Sequence, residues 1–263
     1  MDYEVSRSGQ AEGFGPNAAA EALPDNNDQM VPLRDTGPAV PRYLSETYTW
    51  AYLNPRSVKL LDHELVVAMI LWFQHHNLQR KVLAEIEPGS SVLQTACVYG
   101  DFSPALAQHI GEEGNLEIVD VSRAQVDQCA EKLRDYPFAS VRQLDVVDLG
   151  EGEYDTVCCY FLMHEVPDDY KNGLVDVVLN NIAPDGKAVF IDYHKPHWAN
   201  PLKPVMSLVF DTLEPFAKSL WHQDICDFAS EPEKFHWHKE SFFGGLYQKV
   251  VVTPVGSRPA WDQ

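Results

Sequence analysis

Apolar residues fall on two rhythms along this chain, and the change comes at Glu87-Pro88-Gly89. Before it, Leu61, Leu65, Ala68, Met69, Trp72 and Phe73 recur at three and four spacing, so Val58 to Ile86 reads as helix. After it, short apolar runs alternate with amphipathic stretches, the pattern of parallel βαβ units. Strands are predicted at Ser91–Leu93, Leu116–Val119, Val141–Leu144, Thr156–Cys159 and Ala188–Ile191. Helices are predicted at Phe102–Ile110, Ser122–Tyr136 and Lys171–Ile182, with a further one over Leu202–Trp221 that Pro201, Pro204 and Pro215 should segment. A hairpin-like apolar strand over Gly244–Thr253 closes the series.

Composition divides the chain further. Residues 1–40 are rich in Gly, Pro, Asn, Asp and Ala and bury too little to offset ordering entropy, so a disordered arm is expected. Residues 41–87, opening with Tyr43, Tyr48, Trp50 and Tyr52, form a helical cap, read either as cover for one sheet face or as a substrate lid. Residues 88–255 make one α/β domain with a helical insert at about 200–222, and 256–263 a tail. In the insert, Leu202, Val205, Val209, Leu213, Phe216 and Leu220 recur at helical spacing, with Met206 and Phe210 beside them. That stripe suits packing on the sheet, or a lid that shelters an apolar tail or touches a bilayer.

Charge narrows the partners. Lys+Arg number 20 against Asp+Glu 39, a formal charge of -19. Such a surface repels nucleic-acid phosphates and anionic headgroups, so nucleic acid is excluded as a partner and any peripheral membrane contact must be apolar. Cys97, Cys129, Cys158, Cys159 and Cys226 show no metal-ligand spacing, the run Leu65–Phe73 is too short to span a bilayer, and no basic-then-apolar leader is evident. A cytoplasmic protein is expected.

In a doubly wound sheet, ligands bind beyond the carboxyl ends of the strands, at the first βα turn. Here that turn runs Gln94-Thr95-Ala96-Cys97-Val98-Tyr99-Gly100-Asp101. It resembles motif I of class I S-adenosylmethionine-dependent methyltransferases, an acid followed by three alternating glycines, with Gln94, Ala96 and Val98 replacing the acid and two glycines and only Gly100 kept. Asp120 closes the second strand, where a carboxylate accepts from ribose hydroxyls, with Val121 beside it. Asp145, with Val146, matches the position that binds the adenine amino group. Tyr154-Asp155-Thr156-Val157 and Ala183-Pro184-Asp185-Gly186-Lys187 match later family motifs. This resemblance implies a Rossmann-like class I methyltransferase fold, a mostly parallel seven-stranded sheet flanked by helices, behind the N-terminal cap. β-branched Val98 resists left-handed geometry, so the loop should follow a different path near the methionine half of the cofactor.

The rewritten loop, Asp192-Tyr193-His194-Lys195-Pro196 and Ser241-Phe242-Phe243-Gly244-Gly245-Leu246-Tyr247 together resemble the RquA family of rhodoquinone biosynthesis, and more distantly the quinone-ring methyltransferases. The resemblance covers roughly residues 42–255. It implies conversion of ubiquinone to rhodoquinone, a ring methoxy group giving way to an amino group, with S-adenosyl-L-methionine as amino donor and Mn2+ assisting. The alternatives are a quinone methyltransferase and a non-catalytic scaffold of quinone biosynthesis. A Lewis acid on the quinone carbonyl would suit ring amination, and His164, Glu165, Asp192 and His194 at strand ends are its candidate ligands. Tyr99, His164, Asp192 and His194 are the candidate catalytic groups. Gln94, Ala96, Val98, Tyr99, Gly100, Asp120, Val121, Asp145, Val146 and Tyr160 are the candidate cofactor contacts. The docking site would lie at the inner face of the cytoplasmic membrane.

Overall fold

The protein is described by a computed structural model that covers residues 38, 40–48 and 55–257. The arm read over 1–40 lies outside these residues except for Pro38 and Val40, as do Trp50, Tyr52 and the tail from 258 onward.

Seven strands form one sheet: β1 Ser91–Gln94, β2 Asn115–Asp120, β3 Ala139–Gln143, β4 Tyr154–Tyr160, β5 Ile182–Tyr193, β6 Phe235–Phe242 and β7 Tyr247–Pro254. Their order is β3-β2-β1-β4-β5-β7-β6, parallel from β3 to β5, with β7 antiparallel to both β5 and β6. The chain runs outward from β1 to β3 and then crosses back to β4 on the other side of β1. That reversal opens a crevice beyond the carboxyl ends of β1 and β4.

Helices α1 Arg42–Thr47, α2 Pro55–Leu61, α3 Glu64–Ile70 and α4 His75–Leu83 precede the sheet; α5 Phe102–Ile110, α6 Arg123–Lys132, α7 Asp168–Asn180 and α8 Lys203–Thr212 follow within it. The central strands are buried on both faces, so they read as continuous apolar runs. Val92, Ile118, Cys158, Val189 and Ile191 pack into the core that includes α4 and α5, whereas Leu93, Val119, Val157, Ala188 and Phe190 pack into the core beneath α7. Alternation along β4 and β5 sends neighbours to opposite cores, as a period of two requires.

The cap departs from the single helix expected over Val58–Ile86. His63 caps α3, its Nδ1 accepting from the Leu65 amide at 3.2 Å. Trp72 and Phe73 then take left-handed φ of 51° and 59°, which no helix continues. Apolar periodicity cannot register such a joint, because both residues keep the spacing. The α8 region ends as the prolines foretold: Pro204 sits in the first turn, where an amide is not needed, and Pro215 stops the helix after Leu213. The expected Gly244–Thr253 strand is β7. Its partner β6 was missed, because Phe235–Phe242 mixes aromatic residues with a polar run, His238 to Ser241, on a half-exposed edge.

Candidate functional site

The site grows from the end of β1. Gln94 is fully buried, and its amide Nε2 donates to the Ala96 carbonyl at 2.7 Å and to Ser103 Oγ at 3.0 Å. A carboxylate has no proton to offer that carbonyl, so the substitution of Gln for an acid and the path of the loop belong together. Ala96 and Val98 avoid positive φ, and Gly100 alone takes it, at 83°. A Cβ on Gly100 would also sit 3.4 Å from Val67 of α3. The loop therefore turns once, late, where the motif it resembles provides glycine at three places.

Two residues outside the motif hold this path. Asp62, between α2 and α3, accepts the Gly100 amide at 2.8 Å on Oδ1 and Gln128 Nε2 at 2.9 Å on Oδ2. Lys132 of α6 donates to Asp62 at 2.8 Å, to the Val98 carbonyl at 3.1 Å and to the Gly100 carbonyl at 2.8 Å. Charge-assisted bonds to three groups fix both sides of the turn. Neither residue was singled out from sequence, because their role rests on a contact between distant elements.

Asp120 ends β2 with Oδ2 accepting the Cys97 amide at 2.9 Å and Oδ1 the Ser122 amide at 2.7 Å. Burial pushes its carboxyl up to about 7, with the Asp145 charge adding to the rise and the two amides resisting it. Asp145 caps the turn after β3 through the Val147 amide at 3.3 Å and receives the Tyr170 hydroxyl; both contacts fall on Oδ1. Tyr170 packs edge-on against Tyr43 at 5.3 Å, so the first cap helix reaches this rim.

Beyond β4 and β5 lies a second polar group. His164 Nδ1 faces Asp192 Oδ1 at 3.0 Å, and the His164 amide donates to Asp192 Oδ2 at 3.3 Å. The carboxylate fixes the proton on Nδ1 and leaves Nε2, 3.8 Å from Glu165 Oε1, as the ring's other polar atom. Burial alone would lower the imidazole, but the Asp192 charge and hydrogen bond outweigh it and push His164 up to about 9. Phe161, just after β4, holds a left-handed φ of 54° and sets its ring edge-on to His164 at 5.9 Å and Tyr193 at 5.4 Å. A bulky residue in that conformation is uncommon and concentrates at functional sites.

These groups share one open cavity, about 1290 Å³ when the open solvent at its mouth is included. Ala96, Val98, Tyr99, Asp120, Val121, Asp145, Val146, Tyr160, His164 and Glu165 all line it. Gln94, Gly100 and Asp192 act from behind its wall rather than on it. His194 stands apart: its Nδ1 pairs with the Gly245 carbonyl at 2.9 Å, and its ring lines a separate depression with Trp198 and Asp224. The four-residue manganese set therefore does not come together. Asp192 is turned to His164, His194 is elsewhere, and among the described residues no third ligand joins His164 and Glu165. Sequence reasoning also missed Glu214, which accepts the Tyr48 hydroxyl at 2.6 Å on the cavity wall and is held above its usual range by burial.

Residues 92–186 match a family model described as a methyltransferase domain. The chain is 25% identical over 190 residues to a demethylmenaquinone methyltransferase of Bacillus cereus, covering 70% of this chain and 76% of that protein. It is 25% identical over 164 residues to the demethylmenaquinone methyltransferase of Desulfitobacterium hafniense, covering 57% of this chain and 64% of that protein. A solved S-adenosylmethionine-dependent methyltransferase from Aquifex aeolicus superposes with a TM-score of 0.52 at 18% identity, over 77% of this chain and 99% of that one. The fold is thus the Rossmann-like class I methyltransferase fold, and the chain is similar in sequence to demethylmenaquinone methyltransferases.

Proposed function

We propose that this chain binds S-adenosylmethionine in the cavity at the β1–β4 switch point and uses it to modify the ring of an isoprenoid quinone. The observation that carries the reading is the cavity itself, which Asp120 and Asp145 line together with His164, the partner of Asp192. The donor set fits the cofactor: Asp120 would accept from the ribose hydroxyls, Asp145 Oδ2 from the adenine amino group, and Val121 and Val146 would flank the base. When bound, the cofactor supplies an electrophilic methyl group. Tyr99, Tyr160 and Phe161 offer aromatic surface to a quinone ring, and the His164 imidazolium, oriented by Asp192, offers Nε2–H to a ring oxygen. The relatives in the comparison carry methyl transfer, which makes a quinone methyltransferase the first reading.

A second reading rests on the rebuilt loop. Gln94, Ala96 and Val98 change the surroundings of the methionine end while Asp120 and Asp145 keep the adenosine end, which is the division that donation of the amino group in place of the methyl would need. The resemblance to the rhodoquinone-forming family points the same way, with ubiquinone as acceptor, rhodoquinone as product and Mn2+ as helper. Among the described residues no set of three metal ligands assembles at His164 and Glu165, so polarisation of the quinone carbonyl falls to His164 under this reading too. The ratio of S-adenosylhomocysteine released to quinone consumed separates the two: one to one for methyl transfer, none for amino transfer. Neither product formation nor cofactor consumption would leave only the scaffold.

The surface around the mouth supports contact with a bilayer. Among the described residues no helix is long and apolar enough to cross a membrane. Leu65, Met69, Ile70 and Phe73 are nevertheless exposed on and just after α3, with Val205 and Leu208 on α8. Trp72 Nε1 lies 3.3 Å from Met206 Sδ, which brings the two elements together. Met206 and Phe210 are buried, so the outward face of α8 is Val205 and Leu208 rather than the whole stripe. The double variant Val205→Asp, Leu208→Asp should lose co-sedimentation with neutral liposomes about tenfold while keeping cofactor affinity; unchanged sedimentation would refute the contact.

A further inference from the structure

Glu64 opens α3 and His75 and His76 open α4, on the two sides of the left-handed Trp72–Phe73 joint. One ligand atom from each lies within 4.8 Å of the others. His76 Nε2 is 3.8 Å from Glu64 Oε1, and the two imidazole rings are 4.0 Å apart. His75 is only 8% exposed, yet both of its ring nitrogens are buried without a hydrogen-bond partner. A buried imidazole with neither nitrogen satisfied is costly, and it points to something that is not a protein group.

We infer that Glu64, His75 and His76 form a site for a divalent transition-metal ion of the zinc type, separate from the cofactor cavity. Two imidazoles and one carboxylate are the donor set such borderline ions take, with water in the fourth position. Tetrahedral bonds of the usual length place neighbouring donors roughly 3.4 Å apart, so the side chains must close by about 1 Å. Glu64 and His76 are exposed, and His76 is held only by long contacts, to Glu64 at 3.8 Å and to Gln79 Oε1 at 3.5 Å. Bound there, the ion would staple the start of α3 to the start of α4. Val67, Ile70 and Leu71 on or just after α3 line the cavity, so the staple would firm one wall of it.

Titration of the full chain with Zn2+ by calorimetry, and with Co2+ by visible absorption, tests this. The expected result is one ion per chain, tetrahedral cobalt bands, and a rise in Tm of about 5 °C at a metal concentration a hundredfold above Kd. His76→Ala and Glu64→Gln, both at exposed positions that leave the core intact, should each weaken binding at least tenfold. His75→Ala should abolish it, and if that variant does not fold the two exposed variants decide. No one-to-one binding in the wild type, or binding unchanged in both exposed variants because other histidines hold the metal, overturns the inference.

Discussion

Asp120→Ala should weaken S-adenosylmethionine binding at least a hundredfold, measured by calorimetry. A carboxylate that accepts two hydroxyls makes two charge-assisted bonds of about 1.5–3 kcal/mol each, and losing both is worth two or more decades of affinity. The substitution also strips the Cys97 and Ser122 amides of their acceptor, so the loop itself loosens. Asp120→Asn separates the effects, since it keeps one acceptor oxygen and the shape while removing the charge, and it should lose about tenfold. Burial pushes Asp120 up to about 7, so the carboxylate is mostly protonated at pH 6 and ionised at pH 8. Affinity should therefore fall about tenfold on going from pH 8 to pH 6 in the wild type and change little in Asp120→Asn. A wild-type affinity flat across that range, with Asp120→Ala within threefold, would remove the ribose role.

His164→Ala should lower kcat about a hundred- to a thousandfold while leaving S-adenosylmethionine affinity within twofold, because the imidazole follows β4, on the other side of β1 from the ends of β2 and β3 that carry Asp120 and Asp145. Asp192→Asn should lose about tenfold or more through His164: the amide offers no charge to hold the imidazolium and supports the wrong tautomer. Asp192 is a positioning residue here, and its signature is a pH profile. In the folded chain His164 is pushed up to about 9, above the unfolded value of 6.5. The ion pair therefore contributes its full stability below about pH 6.5 and loses it as pH rises through 9. Activity that depends on the imidazolium should decline over the same upper range. In Asp192→Asn that decline should move to lower pH. A profile unmoved by Asp192→Asn would reduce the pair to a structural role, since a merely packed carboxylate leaves the profile where it was.

How far these residues could be read from sequence depended on whether their signal was local. The strands from β1 to β5 and helix α5 announced themselves by apolar runs and periodicity, and Asp120 and Asp145 by their places at strand ends. The cap did not, because Trp72 and Phe73 break the helix by backbone conformation while preserving its spacing. Gln94 read as the loss of an acid; only the bond from its amide to the Ala96 carbonyl shows that the loop is built around it. Asp62, Lys132, Tyr170 and Glu214 carry no motif at all and gain their roles from contacts across 25 to 166 positions of chain. His164 and Asp192 stood in the sequence as catalytic candidates and as ligands of one metal, and the fold pairs them directly with each other. His194 was chosen by its place after the fifth strand, yet it pairs with the Gly245 carbonyl and lines a different depression.

The central claim is that S-adenosylmethionine is spent on a quinone ring. Purified protein should be incubated with quinone-bearing vesicles and S-adenosylmethionine labelled with carbon-13 in its methyl group and nitrogen-15 in its amino group, with and without manganese. The mass of the recovered quinone is then read. The account predicts a single heavy label in the quinone, lost in Asp120→Ala and in His164→Ala, with carbon-13 marking methyl transfer and nitrogen-15 the amino transfer that the rebuilt loop favours. A quinone that carries neither label under turnover conditions would contradict it.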